Sequence, residues 1–130
     1  MATIKEFEDL GIWQDARSLC SNIYTIIENT PLKKNYKLAQ QIDRSSGSVM
    51  DNIAEGFERN GNKEFIQFLS IAKASCGETR SQLYRVKDRN FITEDEFDKL
   101  KSQAKLLSSK IGGFMKYLST SEFKGSKYNH

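Results

Sequence analysis

The chain is predicted to be all-α, folded as an antiparallel up-down-up-down four-helix bundle. Three features carry that expectation. Apolar residues recur three and four apart along four stretches, short turn-forming segments separate those stretches, and a single proline leaves the helices uninterrupted. No stretch of useful length alternates with a strand's period, and no internal repeat is present. The bundle is expected over residues 1–118, with 119–130 as a polar, flexible C-terminal tail.

The first helix is expected from about Gly11 to Glu28, where Trp13, Ala16, Leu19, Cys20, Ile23, Tyr24 and Ile27 make a wide apolar face. Thr30-Pro31 stops it, because proline excludes the residue before it from helical geometry. Leu32 to Tyr36 reads as a loop or short turn. The second helix is expected from Lys37 to Arg59, with Leu38, Ile42, Val49, Ile53 and Phe57 inward. Asn60-Gly61-Asn62 breaks it: a glycine or asparagine takes the left-handed cap, and Asn62 opens the next helix.

The third helix is expected from Lys63 to Asp88, burying Phe65, Phe68, Leu69, Ala72, Cys76, Leu83 and Val86. The fourth opens on Thr93-Glu94-Asp95-Glu96, a capping-box pattern with Thr93 at the cap and Glu96 reaching back. The acids there suit the positive end of a helix dipole. Phe97, Leu100, Ala104, Leu107, Ile111, Phe114 and Leu118 follow at helical spacing, and Gly112-Gly113 weakens the far end.

At 130 residues the chain can bury a real core as one domain, and 38% hydrophobic with 28% charged residues is a globular composition. No apolar run approaches the roughly 20 residues that span a bilayer. The N-terminus, MATIKEFEDLG, lacks the basic start and apolar centre of a signal peptide, so the expected compartment is the cytoplasm, with no membrane partner. Cys20 and Cys76 fall on apolar faces and are expected to be reduced core residues.

The second helix carries an unusual polar stripe. Gln41, Ser45, Ser48, Asn52, Glu55 and Arg59 follow in steps of three and four and so share one face for about five turns. Ser75, Glu78, Gln82, Arg85 and Arg89 repeat likewise on the third helix, and consecutive antiparallel helices can set two such stripes face to face. A polar seam is therefore expected from Arg44, Ser48, Asn52, Glu55, Arg59, Ser75 and Glu78. In it Arg44 or Arg59 could pair with Glu78, and Glu55 with a basic partner. Buried charges of that kind specify register more than they stabilise. The seam could lie within one chain or between subunits, and a plain solvated face is the competing reading.

Catalytic chemistry is hard to assemble from these residues. The only histidine is His130, which excludes an ordinary serine triad and a histidine-based metal cluster. A carboxylate-only site from Glu55 and Glu78 is a formal alternative, and no phosphate-gripping glycine loop is present. No enzyme activity, cofactor or metal is expected.

Charge is uneven along the chain. Residues 1–60 hold 7 Lys/Arg against 9 Asp/Glu, whereas residues 61–130 hold 13 against 8. Lys73, Arg80 and Lys87 stand seven apart on the third helix with Arg85 and Arg89 nearby, and these five are the expected phosphate contacts. Lys99, Lys101, Lys105, Lys110 and Lys116 on the fourth helix, with Lys124 and Lys127 beyond it, extend the spread. Lysines that only solubilise the outer faces are the alternative. Tyr84 and Tyr117 could stack on bases, although tyrosines at helical spacing more often pack.

The chain resembles the bacterial four-helix-bundle family linked to intervening sequences in large-subunit ribosomal RNA genes. The matching residues are Ile12-Trp13-Gln14, Ala16, Leu19, Ile23-Tyr24, Leu38, Gln41-Ile42, Arg44, Ser48 and the run Asn52-Ile53-Ala54-Glu55-Gly56. Phe65, Phe68-Leu69, Ile71-Ala72, Ser75, Glu78 and Leu83 continue in order, so the resemblance covers about Phe7 to Leu118. The Asn-Ile-Ala-Glu-Gly run after Gln-Ile-x-Arg is the specific part. Ser45-Ser46-Gly47 departs from the small apolar residues usual there, and Met50-Asp51 replaces a pair that often contains proline. The resemblance implies a closed bundle that assembles into a ring, a pentamer, similar to the nucleic-acid-binding accessory protein of diversity-generating retroelements. The expected function is thus a non-enzymatic homo-oligomer that binds structured RNA or DNA. An oligomeric scaffold that recruits a protein partner is the alternative.

Overall fold

The periodic apolar stretches form α1 (Gly11–Asn29), α2 (Tyr36–Phe57), α3 (Asn62–Asp88) and α4 (Glu94–Thr120). The structure, a computed structural model, describes residues 4–120. Each helix packs on the next in sequence and α1 closes on α4, which is the up-down-up-down arrangement that short loops enforce. Among the described residues there is no strand, and no helix is long and apolar enough to cross a membrane.

The connections follow from local chemistry. Pro31–Lys34 forms a 3-10 turn in which the Thr30 hydroxyl accepts from the Leu32 amide at 3.2 Å. Asn35 then caps α2, its side-chain oxygen accepting from the Leu38 amide at 3.3 Å. Gly61 takes φ 89°, a conformation that costs other residues, and precedes α3 directly. Asn62 does not cap: its side-chain amide donates to the Leu118 carbonyl at 3.0 Å and ties the start of α3 to the end of α4. The turn into α4 closes on Asn90 at φ 62°. The Phe91 amide bonds back to Val86 at 3.1 Å and the Asn90 amide to Lys87 at 2.8 Å, the paired bonds of a Schellman motif. The expected capping box forms, with Thr93 N to Glu96 Oε1 at 2.8 Å and Glu96 N to Thr93 Oγ1 at 3.1 Å.

One core runs the length of the bundle. Leu19, Ile23, Ile42, Ile53, Phe65, Leu69, Leu83 and Ile111 are almost entirely removed from water. The inward face of α1 is turned slightly from the expected one. Ile12 and Ile26 are buried, whereas Tyr24 is 56% exposed and Cys20 is half-buried. Cys76 is buried and its thiol donates to the Ala104 carbonyl at 3.1 Å; both cysteines are free. Gly112 and Gly113 do not break α4, which continues through Ser119 and Thr120. The tail residues Lys124, Lys127 and His130 lie outside the described residues.

Gly56 has a specific reason to be glycine. A Cβ built there would stand 2.7 Å from Phe68 Cβ and 2.9 Å from Phe65 Cδ1. The family-like run Asn52-Ile53-Ala54-Glu55-Gly56 therefore ends where α2 passes close to the phenylalanines of α3.

Candidate functional site

The two polar stripes meet inside the chain, between α2 and α3. Ser45 Oγ lies 2.8 Å from Thr79 Oγ1 and donates to Gln82 Oε1 at 2.6 Å. One exchange further along, Ser48 Oγ and Ser75 Oγ are 3.0 Å apart, and Asn52 Nδ2 donates to Ser48 Oγ at 2.9 Å and to the Ser48 carbonyl at 2.8 Å. At the rim Arg85 donates to Gln41 Oε1 at 3.0 Å, and Gln82 Nε2 to Glu78 Oε2 at 3.3 Å. Ser45, Ser46, Thr79 and Gln82 are buried, so satisfying their polar atoms is what makes the seam tolerable. Gln82 belongs to the stripe read from the sequence, whereas Thr79 joins the seam without being marked by it. Thr79 sits four residues after Ser75, at the right spacing, but threonine alone carries no polar-stripe signal.

The charged members behave differently. Glu55 and Glu78 are exposed. Arg59 pairs with Glu64 at 3.0 Å and lies over the Phe68 ring at 5.1 Å, not with Glu78. Arg44 is exposed beside a shallow groove that also reaches Cys20, Asp43 and Asp51. Burial raises the Cys20 thiol above its usual range, and the nearby Asp43 and Asp51 add to that while a hydrogen bond with Ser46 opposes it. Among the described residues no group of three or more His, Cys, Asp or Glu gathers as a metal site.

The five expected phosphate contacts do not share a surface. Lys73, Arg80 and Lys87 run along the side of α3 that faces α4. The Lys73 chain crosses Gly112, where a Cβ would meet its Cε at 3.2 Å. Lys87 Nζ lies 4.9 Å from the Phe97 ring centre and 3.3 Å from Glu94 Oε1. Lys101 of α4 joins this line, its Nζ 5.3 Å from the Phe97 ring centre, and Lys105 follows one turn later. At about 100° per residue, Arg85 and Arg89 stand roughly 140–180° around α3 from that line, on the side of α2. Arg80 and Lys73 flank Cys76. Desolvation nevertheless dominates there and pushes the thiol up to about 11, with the two cations opposing.

A profile of the 23S rRNA-intervening sequence protein family matches residues 8–113. The chain is also similar to a crystal structure of a protein of unknown function from the S23 ribosomal protein family, from Bacteroides thetaiotaomicron VPI-5482. That likeness has a TM-score of 0.73, covers 81% of this chain and 98% of that one, and stands at 21% identity, so it speaks for the fold alone. No curated protein matches the chain.

Proposed function

Because the chain belongs to the 23S rRNA-intervening sequence protein family, we propose that it is a non-enzymatic, cytoplasmic homo-oligomer that binds structured RNA or DNA. The observation that carries this reading is the line of Lys73, Arg80 and Lys87 beside Lys101 and Lys105 on the α3–α4 face. Glu94 offsets one of these cations, and Asp88 and Asp98 are the other acids near the face by helical position, which leaves the cations in surplus. A surplus of mobile cations on one face neutralises phosphates and releases counterions without demanding a base sequence. Arg85 and Arg89 are secondary contacts on this reading, since they face the other way.

Assembly uses the adjoining α2–α3 side of the molecule. The rim of the α2–α3 seam presents Glu55, Glu78 and Arg85, and Ile71 on the same side of α3 is 49% exposed. A mixed-charge border around an exposed aliphatic residue suits a contact between copies, and the ring of five implied by the resemblance is the proposed state. The experiment is fluorescence anisotropy of a labelled RNA hairpin across a salt series, with light scattering on the same sample. Binding that weakens steeply with salt supports the reading. Absence of binding at low salt, or binding indifferent to salt, refutes it. A co-purified protein without nucleic acid would favour the scaffold instead.

A further inference from the structure

We propose that the α3–α4 face takes an unpaired nucleic-acid segment, with one base laid against the ring of Tyr84. The inference rests on the nucleic-acid reading above and adds the strandedness of the ligand and a residue that selects it. Tyr84 is 45% exposed although its ring is fixed from below by Phe97, which is buried. The two rings meet edge to face, with centroids 4.8 Å apart and planes 69° apart. That contact holds the tyrosine in one orientation, so a ligand loses little by ordering it.

Cations surround this ring. Lys101 Nζ is 6.0 Å from the Tyr84 ring centre and 5.3 Å from that of Phe97, and Lys87 Nζ is 4.9 Å from the Phe97 ring centre. On α3, Arg80 stands one turn before Tyr84 and Lys87 nearly one turn after it. A flat π surface between ammonium and guanidinium groups matches the alternation of base and phosphate along a single strand. In a duplex the base faces are already stacked on each other and cannot reach a protein ring, whereas the phosphates can. Tyr84 therefore discriminates unpaired from paired nucleic acid, and the lysines do not.

The alternative role for Tyr84 is to shield Phe97 from water, and the choice of variants separates the two. Tyr84→Leu keeps an apolar cover and removes the π surface; Tyr84→Phe keeps both. Each protein is titrated into a short labelled single-stranded RNA and into the matching duplex, with thermal melting measured alongside. Tyr84→Leu is expected to weaken single-strand binding by about 5- to 150-fold, with duplex binding unchanged, while Tyr84→Phe binds both as the parent does. If Tyr84→Leu binds single strands as the parent does while Lys101→Ala weakens both ligands, the stacking inference is wrong and the nucleic-acid reading survives. If the parent binds neither RNA, both fall.

Discussion

Replacing Gly56 with alanine should destabilise the protein, against the rule that alanine is the better helix former. Gly56 lies inside α2, where alanine would ordinarily contribute about 1 kcal/mol. Its new Cβ, however, would stand 2.7 Å from Phe68 Cβ and 2.9 Å from Phe65 Cδ1. Carbon pairs settle at about 3.5–4.0 Å, so the helices must separate by close to an ångström or the phenylalanines must shift. Phe68 Cβ is fixed to its backbone and has no rotamer to escape into. Overpacking of this kind costs about 1–3 kcal/mol, which leaves a net loss of up to about 2 kcal/mol once the propensity gain of about 1 kcal/mol is set against it. Gly47 supplies the internal control, because it occupies the same helix with nothing within 4 Å of a built Cβ. Gly47→Ala should therefore stabilise by about 0.5–1 kcal/mol. Urea unfolding of both variants, with an unchanged m-value, reads the difference directly. Equal stabilisation by both substitutions would refute the close approach of α2 to α3.

Three further outcomes follow from the same geometry. Ser45→Ala strips the Gln82 carbonyl of its 2.6 Å donor and the Thr79 hydroxyl of its neighbour, so it should cost about 1–3 kcal/mol. A double-mutant cycle with Thr79→Val should show coupling, and strict additivity would argue against a shared network. Thr93→Ala removes one half of the capping box and should lower stability by about 1 kcal/mol; an unchanged urea midpoint would contradict the cap. Cys76, whose thiol burial pushes up to about 11 from an ordinary value of 9.0, should resist thiol reagents at neutral pH until the protein unfolds. Its pH contribution has a definite sign. The folded state keeps the proton, so the stabilisation is complete below pH 9 and is lost as pH rises towards about 11. The stability gap between the parent and Cys76→Ala should shrink across that window, and a gap that stays constant would show the thiol is not desolvated.

Much of the architecture is readable from spacing. Helical periodicity locates all four helices, and Thr93 with Glu96 marks the start of α4 because both halves of that cap are side chains of recognisable type. The stripe of Ser45, Ser48 and Asn52 is readable for the same reason, and it does meet Ser75 and Gln82 on α3. Its charged ends mislead. Glu55 and Arg59 share the stripe's spacing, but long side chains at a helix edge reach solvent or a local partner such as Glu64. The close approach at Gly56 cannot be read at all, since glycine in a helix looks the same whether a neighbour crowds it or not. The split among the basic residues is a matter of helical phase. Their shared charge suggests one surface, yet counting turns alone separates Lys73, Arg80 and Lys87 from Arg85 and Arg89.

The basic α3–α4 face as the nucleic-acid surface is tested most directly by the salt dependence of RNA binding. The binding constant of a labelled RNA is measured across a salt series for the parent, for the triple variant Lys73→Ala/Arg80→Ala/Lys101→Ala, and for Arg85→Ala/Arg89→Ala. Removing one cation that neutralises a phosphate should flatten the log–log slope by about 0.7–0.9, so the triple variant's slope should be shallower by about 2–3. The Arg85→Ala/Arg89→Ala variant, which removes only secondary contacts, should flatten the slope by less. A triple variant with the parent's slope, or an equal flattening in both variants, would contradict the assignment.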